Sequence, residues 1–205
     1  MASTTFSGPV RSENGFQTVS KNATTGTITV TSGSKMAVEA EGGAGIEGTA
    51  ETYITQVERF KSDVDTNVNL VKTTIMLDLT GLQSTAAGDI IGKNGAGVAY
   101  LGQVTTANSG VVFGVTMECF EAPAGGDPDI DLYSATEATG VEDSPISGLT
   151  ETLIINAGDA AVGTRVAGGT IVADQYLYLV AGSTTDAAYT AGRLVITILG
   201  YDVAS

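Results

Sequence analysis

Carboxylates carry most of the chemistry open to this 205-residue chain, which has 23 Asp and Glu, one cysteine and no histidine. Histidine is the side chain whose ordinary pKa suits proton transfer near neutral pH, so its absence removes the readiest general base. Ser–His–Asp and Cys–His nucleophile systems and histidine-based zinc sites are excluded within one chain. Paired carboxylates remain, because two Asp or Glu flanking a bond suffice for glycoside hydrolysis. Glu118 and Glu121 are such a pair in sequence, but a regular strand places them on opposite faces. Sugar-cleaving sites also offer aromatic platforms, and this chain has no Trp and only 6% aromatic residues. No catalytic residue is expected, and the chain reads as a non-enzyme.

Two further motifs bear on ligands. Asp127-Pro128-Asp129-Ile130-Asp131 opens like a calcium loop, but Leu132 stands where the loop needs glycine and Ala138 where it needs a bidentate Glu. Asp129 and Asp131 alternate with Ile130 and Leu132, which predicts a strand with a polar outer face. Calcium held there, or shared between subunits, is the alternative. Cys119 alternates with Val111, Phe113, Val115 and Met117 on one apolar face, with nothing basic beside it to stabilise a thiolate, so a buried inert thiol is expected. No glycine motif precedes a Lys-Ser/Thr pair, so no phosphate cradle is predicted. Neither a cofactor nor a metal is expected.

The elements that would position any site are strands. Alternating apolar segments bounded by Gly, Asn, Asp or Pro fall at Thr27–Thr31, Lys35–Glu41, Thr52–Lys61 and Asn69–Leu79. They continue at Asp89–Ile91, Val98–Thr105, Val111–Glu121, Asp129–Ser134, Glu151–Asn156, Gly169–Ala181 and Arg193–Tyr201. In the fourth, Val71, Thr73, Ile75, Leu77 and Leu79 share one face, and Lys72, Thr74, Met76 and Asp78 the other. Short strands at this spacing without intervening helices indicate an all-β antiparallel sandwich or barrel. Glu41–Gly48 reads as a loop, and the only helical segments expected are short ones near Leu82–Ala87 or Asp186–Ala191. Gly169–Ala181, with Tyr176 and Tyr178, and Arg193–Tyr201 are apolar on both faces. That pattern predicts central or interface strands, and an oligomer over a monomer.

Residues 1–26 differ from the rest. They are polar and turn-rich with isolated anchors Phe6, Val10, Phe16 and Val19, and Asn14-Gly15 suits a tight hairpin within Val10–Val19. Such an arm cannot bury itself, so it is expected to dock on a partner. The division predicted is an arm over 1–26 and a β-domain over 27–205, of a size that needs no disulfide or metal to fold.

The formal charge of −14 disfavours nucleic-acid partners and anionic membrane surfaces. No run approaches the roughly 18 apolar residues of a membrane-spanning helix, and the first residues lack the basic start and apolar core of a secretory signal. From Asn94 to Thr164 there is no Lys or Arg. Glu118, Glu121, Asp127, Asp129, Asp131, Glu137, Glu142, Asp143, Glu151 and Asp159 all lie there, which predicts a solvated acidic face. Repelling nucleic acid or gathering divalent cations are the sharper alternatives.

The opening Thr4-Thr5-Phe6-Ser7-Gly8-Pro9-Val10-Arg11-Ser12-Glu13-Asn14-Gly15-Phe16 resembles the start of small virion structural proteins of tailed marine phages, of the cyanophage and pelagiphage types. The resemblance covers about the first 16 residues; the remaining β-sequence agrees in style only. It implies a decoration or cement protein on the capsid exterior, assembled in the host cytoplasm and clamping the major capsid protein. Such proteins are often jelly-roll-like homotrimers. Phe6, Pro9, Val10 and Phe16 are then the expected partner contacts, through strand addition and a few apolar anchors. A tail, head-fibre or receptor-binding component is the alternative within a virion. A non-catalytic carbohydrate-binding module, which needs an exposed aromatic row, is the alternative outside it.

Overall fold

A computed structural model describes residues 18–21, 28–32, 42–47, 53–61, 68–183 and 187–203. The chain divides into two compact units, Met1–Val38 and Glu39–Ser205. In the first, β1 (Thr18–Lys21) and β2 (Ile28–Ser32) form an antiparallel pair with Val19 opposite Val30. The rest of the expected Val10–Val19 hairpin, the body of the expected arm and the Lys35–Glu41 strand lie outside the described residues.

The second unit is all-β, built from two antiparallel sheets. One has the order β3-β4-β11-β6-β9, formed by Tyr53–Lys61, Val68–Asp78, Ala191–Val203, Val111–Ala124 and Arg165–Gly168. The other has the order β5-β10-β7-β8, formed by Gly102–Val104, Gln175–Ala181, Ile130–Ala135 and Glu151–Ile155. The last strand, β11, lies between β4 and β6, with Ile196 opposite both Ile75 and Met117.

Period-2 alternation explains the layering. Val71, Thr73, Ile75, Leu77 and Leu79 of β4 and its end are buried, whereas Lys72, Thr74 and Asp78 are half-buried and Met76 is exposed. Leu194, Ile196 and Ile198 of β11 and Val115, Met117 and Cys119 of β6 join the same core. From the second sheet come Leu132, Ile155, Leu177 and Leu179. Strand β10 is buried on both faces from Leu177 to Ala181, as its doubly apolar pattern predicts, because it is an inner strand of its sheet.

Several local expectations are corrected. Glu41–Gly48 contains a helical turn, α1 (Ala44–Glu47). It is held where Gly43 N donates to Tyr100 O at 2.8 Å and Gly45 N to Val98 O at 2.7 Å, with no room for a Cβ on either glycine. Neither Leu82–Ala87 nor the described part of Asp186–Ala191 is helical; Tyr189 N instead donates to Leu82 O. A second helical turn is α2 (Thr106–Ser109), whose capping box is complete: Asn108 N donates to Thr105 Oγ1 and Thr105 N to Asn108 Oδ1. Gly110 ends it at φ 66°, tight against the Tyr201 carbonyl of β11. The strand expected over Gly169–Ala181 begins only at Gln175, and β9, which has no apolar run of its own, forms by pairing with Val115–Glu118. The edge strands β8 and β9 meet across the two sheets, with Gly169 N donating to Ile154 O at 3.0 Å and Gly168 seated on Ile154 and Ile155.

Candidate interaction surface

The outer face of the five-stranded sheet is ordered in rows by its register. At one end Leu70, Tyr201 and Val111 lie side by side across β4, β11 and β6. The Phe113 ring stacks on Tyr201 with centroids 6.5 Å apart, and all four side chains are exposed. A register shift between Leu199 and Gly200 leaves Phe113 as an extra residue, so Val111 and Phe113 do not share the buried face of Val115, Met117 and Cys119 that the alternation predicts. Next come Lys72, Leu199 and Gly114, then the threonines Thr74, Thr197 and Thr116, then Met76, Val195 and Glu118. At the far end Arg193 sits between Asp78 and Glu121, with Nε 3.4 Å from a carboxylate oxygen of each. Burial pushes the Asp78 carboxyl up, but the Thr80 hydroxyl and amide and the Arg193 guanidinium outweigh it and hold the group below its ordinary value.

Glu118 and Glu121 lie on the same face, contrary to the regular-strand expectation. A register shift between Arg193 and Leu194 leaves Phe120 as an extra residue, so Glu118 pairs with Val195 and Glu121 with Arg193. Cys119 between them is buried; its Sγ donates to Glu121 O at 3.2 Å, and burial pushes the thiol up.

The acids expected to be solvated divide into two kinds. Asp127 is wholly buried and serves the fold: Oδ1 accepts from Asp129 N (2.9 Å) and Ser183 Oγ (2.5 Å), and Oδ2 from Ser183 N (2.8 Å). Its carbonyl accepts from Tyr189 OH at 2.8 Å, and burial raises that phenol. Asp131 is buried too, accepting from Ala157 N at 3.1 Å, so β7 has no polar outer face. The loop after β8 covers it. Burial pushes Asp129 and Asp131 up, and neighbouring carboxylates add to this, Asp127 and Asp159 for Asp129 and Asp129 and Asp127 for Asp131. Asp129 Oδ1 is buried without a hydrogen-bond partner. Among the described residues no three carboxylates or thiols come together as metal ligands. By contrast, Glu137 is an ordinary surface carboxylate clamped by the Thr150 amide and hydroxyl, which hold it down.

A cleft of about 390 Å³ is lined by Asn94, Gly95, Gly97, Val141 and Glu142. Burial raises the Glu142 carboxyl, Gln83 Nε2 opposes this by donating to Oε1 at 2.8 Å, and adjacent Asp143 adds to the rise. Of the two acids, Glu142 is the one among the described residues that line the cleft.

Tyr176 and Tyr178 are not a ligand platform. They pack edge-on against Tyr100, and Tyr178 OH, pushed up to about 12 by burial, donates to Glu137 O at 2.7 Å. Among the tyrosines whose burial is described, Tyr201 is the one exposed, so these form no row of the kind a carbohydrate-binding module needs. Phe6, Pro9, Val10 and Phe16 lie outside the described residues. The signal missed in the sequence is the outward set of β4, β6 and β11, whose exposed apolar members emerge only when three strands are laid in register.

The described body is therefore an all-β two-sheet domain with an apolar-ended outer sheet face. Set against protein-family models, curated proteins and solved structures, the chain matches none.

Proposed function

We propose that this is a non-catalytic structural protein of a virion that binds the capsid exterior as a decoration or cement protein and acts as a homo-oligomer. The observation that carries an adhesive rather than a chemical role is where the polar groups go. Asp127, Asp131, Ser134 and Tyr178 are consumed inside the fold, while Leu70, Val111, Phe113 and Tyr201 are offered outward on one sheet face. The capsid setting is supported by the resemblance of residues 4–16 to marine phage virion proteins, with Phe6, Pro9, Val10 and Phe16 as the anchors to the major capsid protein.

The test uses the full chain and phage heads prepared without it. Wild-type protein should co-sediment with heads, and the double variant Phe6→Ala/Phe16→Ala should lose most of that binding while keeping its circular dichroism. Binding to purified tails instead of heads would replace the decoration reading with the tail or fibre one.

A further inference from the structure

We propose that the outer face of the five-stranded sheet is the surface through which two copies of this chain pair. The inference rests on the homo-oligomer part of the proposed function and not on the capsid as partner.

Charge singles out this face. Residues 68–203 contain four cations, Lys72, Lys93, Arg165 and Arg193, and three of them belong to this face. They are matched there by Asp78, Glu118 and Glu121, and with Glu58 of β3 opposite Lys72 the face carries a formal charge of only −1. Elsewhere in that span one lysine stands against eleven described acids. Two copies of a chain carrying a net charge of −14 repel each other over most of their surface. The nearly neutral sheet face is where a second copy can approach, and the exposed Leu70, Val111, Phe113 and Tyr201 reward the approach.

Area and symmetry agree. Strands spaced ~4.8 Å apart and rising ~3.3 Å per residue give the four consecutive strands β3, β4, β11 and β6 a face of roughly 19 by 36 Å, or roughly 700 Å². A standard interface takes about 800 Å² per partner. A two-fold axis along β11 lays each row on its counterpart, apolar on apolar and threonine on threonine, with Arg193 meeting its own copy between the flanking Asp78 and Glu121 carboxylates. A cyclic trimer would have to join two different patches, whereas a two-fold pair needs only this one.

Light scattering on the full chain should give twice the 20.7 kDa chain mass. Phe113→Glu and Tyr201→Glu should each halve it, whereas Val172→Glu, also an exposed apolar position but off this face, should leave it doubled. Near-UV circular dichroism checks that each variant is folded. If a face variant fails to fold, a nitroxide on Thr197→Cys should still show intermolecular dipolar coupling that one on Val172→Cys lacks. A monomeric wild type, a tripled mass, a doubled mass in Phe113→Glu, or absent coupling at Thr197 would each overturn the pairing. Head co-sedimentation is read separately: a monomer that decorates heads sinks pairing alone, and a dimer that ignores heads sinks the capsid reading alone.

Discussion

Replacing Asp127 by Asn should be among the most damaging isosteric changes available to this fold. The carboxylate accepts three hydrogen bonds in a fully buried position, from Asp129 N, Ser183 N and Ser183 Oγ. Asparagine has the same shape but one acceptor oxygen. Whichever way its amide is turned, one backbone N–H, that of Ser183 or of Asp129, faces an NH₂ group. The loss combines a charge-assisted bond of about 1.5–3 kcal/mol with buried donors left without partners, so roughly 3 kcal/mol is expected. For a chain of this size that lowers Tm by about 6–12 °C. Ser183→Ala keeps the backbone bond and removes only the hydroxyl, so about 1 kcal/mol is expected. Urea titration of both variants, with the slope m checked against wild type, measures the difference. If Asp127→Asn costs no more than Ser183→Ala, the buried-acceptor account of this corner is wrong.

Asp129 carries the opposite sign. Its folded pKa is raised above 3.8 by burial and then by Asp127 and Asp159, so the folded state holds the proton more tightly than the unfolded chain. Stability therefore falls as pH rises through the window above 3.8, and Asp129→Asn should be more stable than wild type near neutral pH, the gain vanishing in acid, as thermal melts across pH would read. Gly110→Ala and Gly158→Ala separate backbone strain from contact. Both glycines have positive φ, 66° and 62°, but Gly158 faces open space while a Cβ on Gly110 would overlap the Tyr201 carbonyl. Calorimetry should show a loss of about 1 kcal/mol for Gly158→Ala and roughly 3 kcal/mol or more for Gly110→Ala.

Long strands with strict alternation were legible in the sequence, because the chemistry that makes them is local. The β4 pattern from Val71 to Leu79 names its own buried face, and the doubly apolar β10 announces an inner strand. What was not legible depends on partners distant in sequence. Nothing in Arg165-Val166-Ala167-Gly168 marks a strand until β6 supplies the ladder. The Asp127 carboxyl looks like surface charge until Ser183, 56 residues later, arrives to donate twice. The bulge at Phe120 moves Glu121 to the face of Glu118, and no periodicity reports a bulge. The small helix α2 was within reach, since Thr105 and Asn108 carry the spacing of a capping box.

The seam between β8 and β9 has a consequence for how the molecule keeps company. A two-sheet body normally ends in bare strand edges, and each bare edge is a growth point where a stray chain can add and start a fibril. Here the edge of one sheet is stitched to the edge of the other by Gly169 N and Ile154 O, with Gly168 leaving no gap between them. At that seam a stray chain finds no free Ile154 carbonyl to add to, and contacts there are left to side chains.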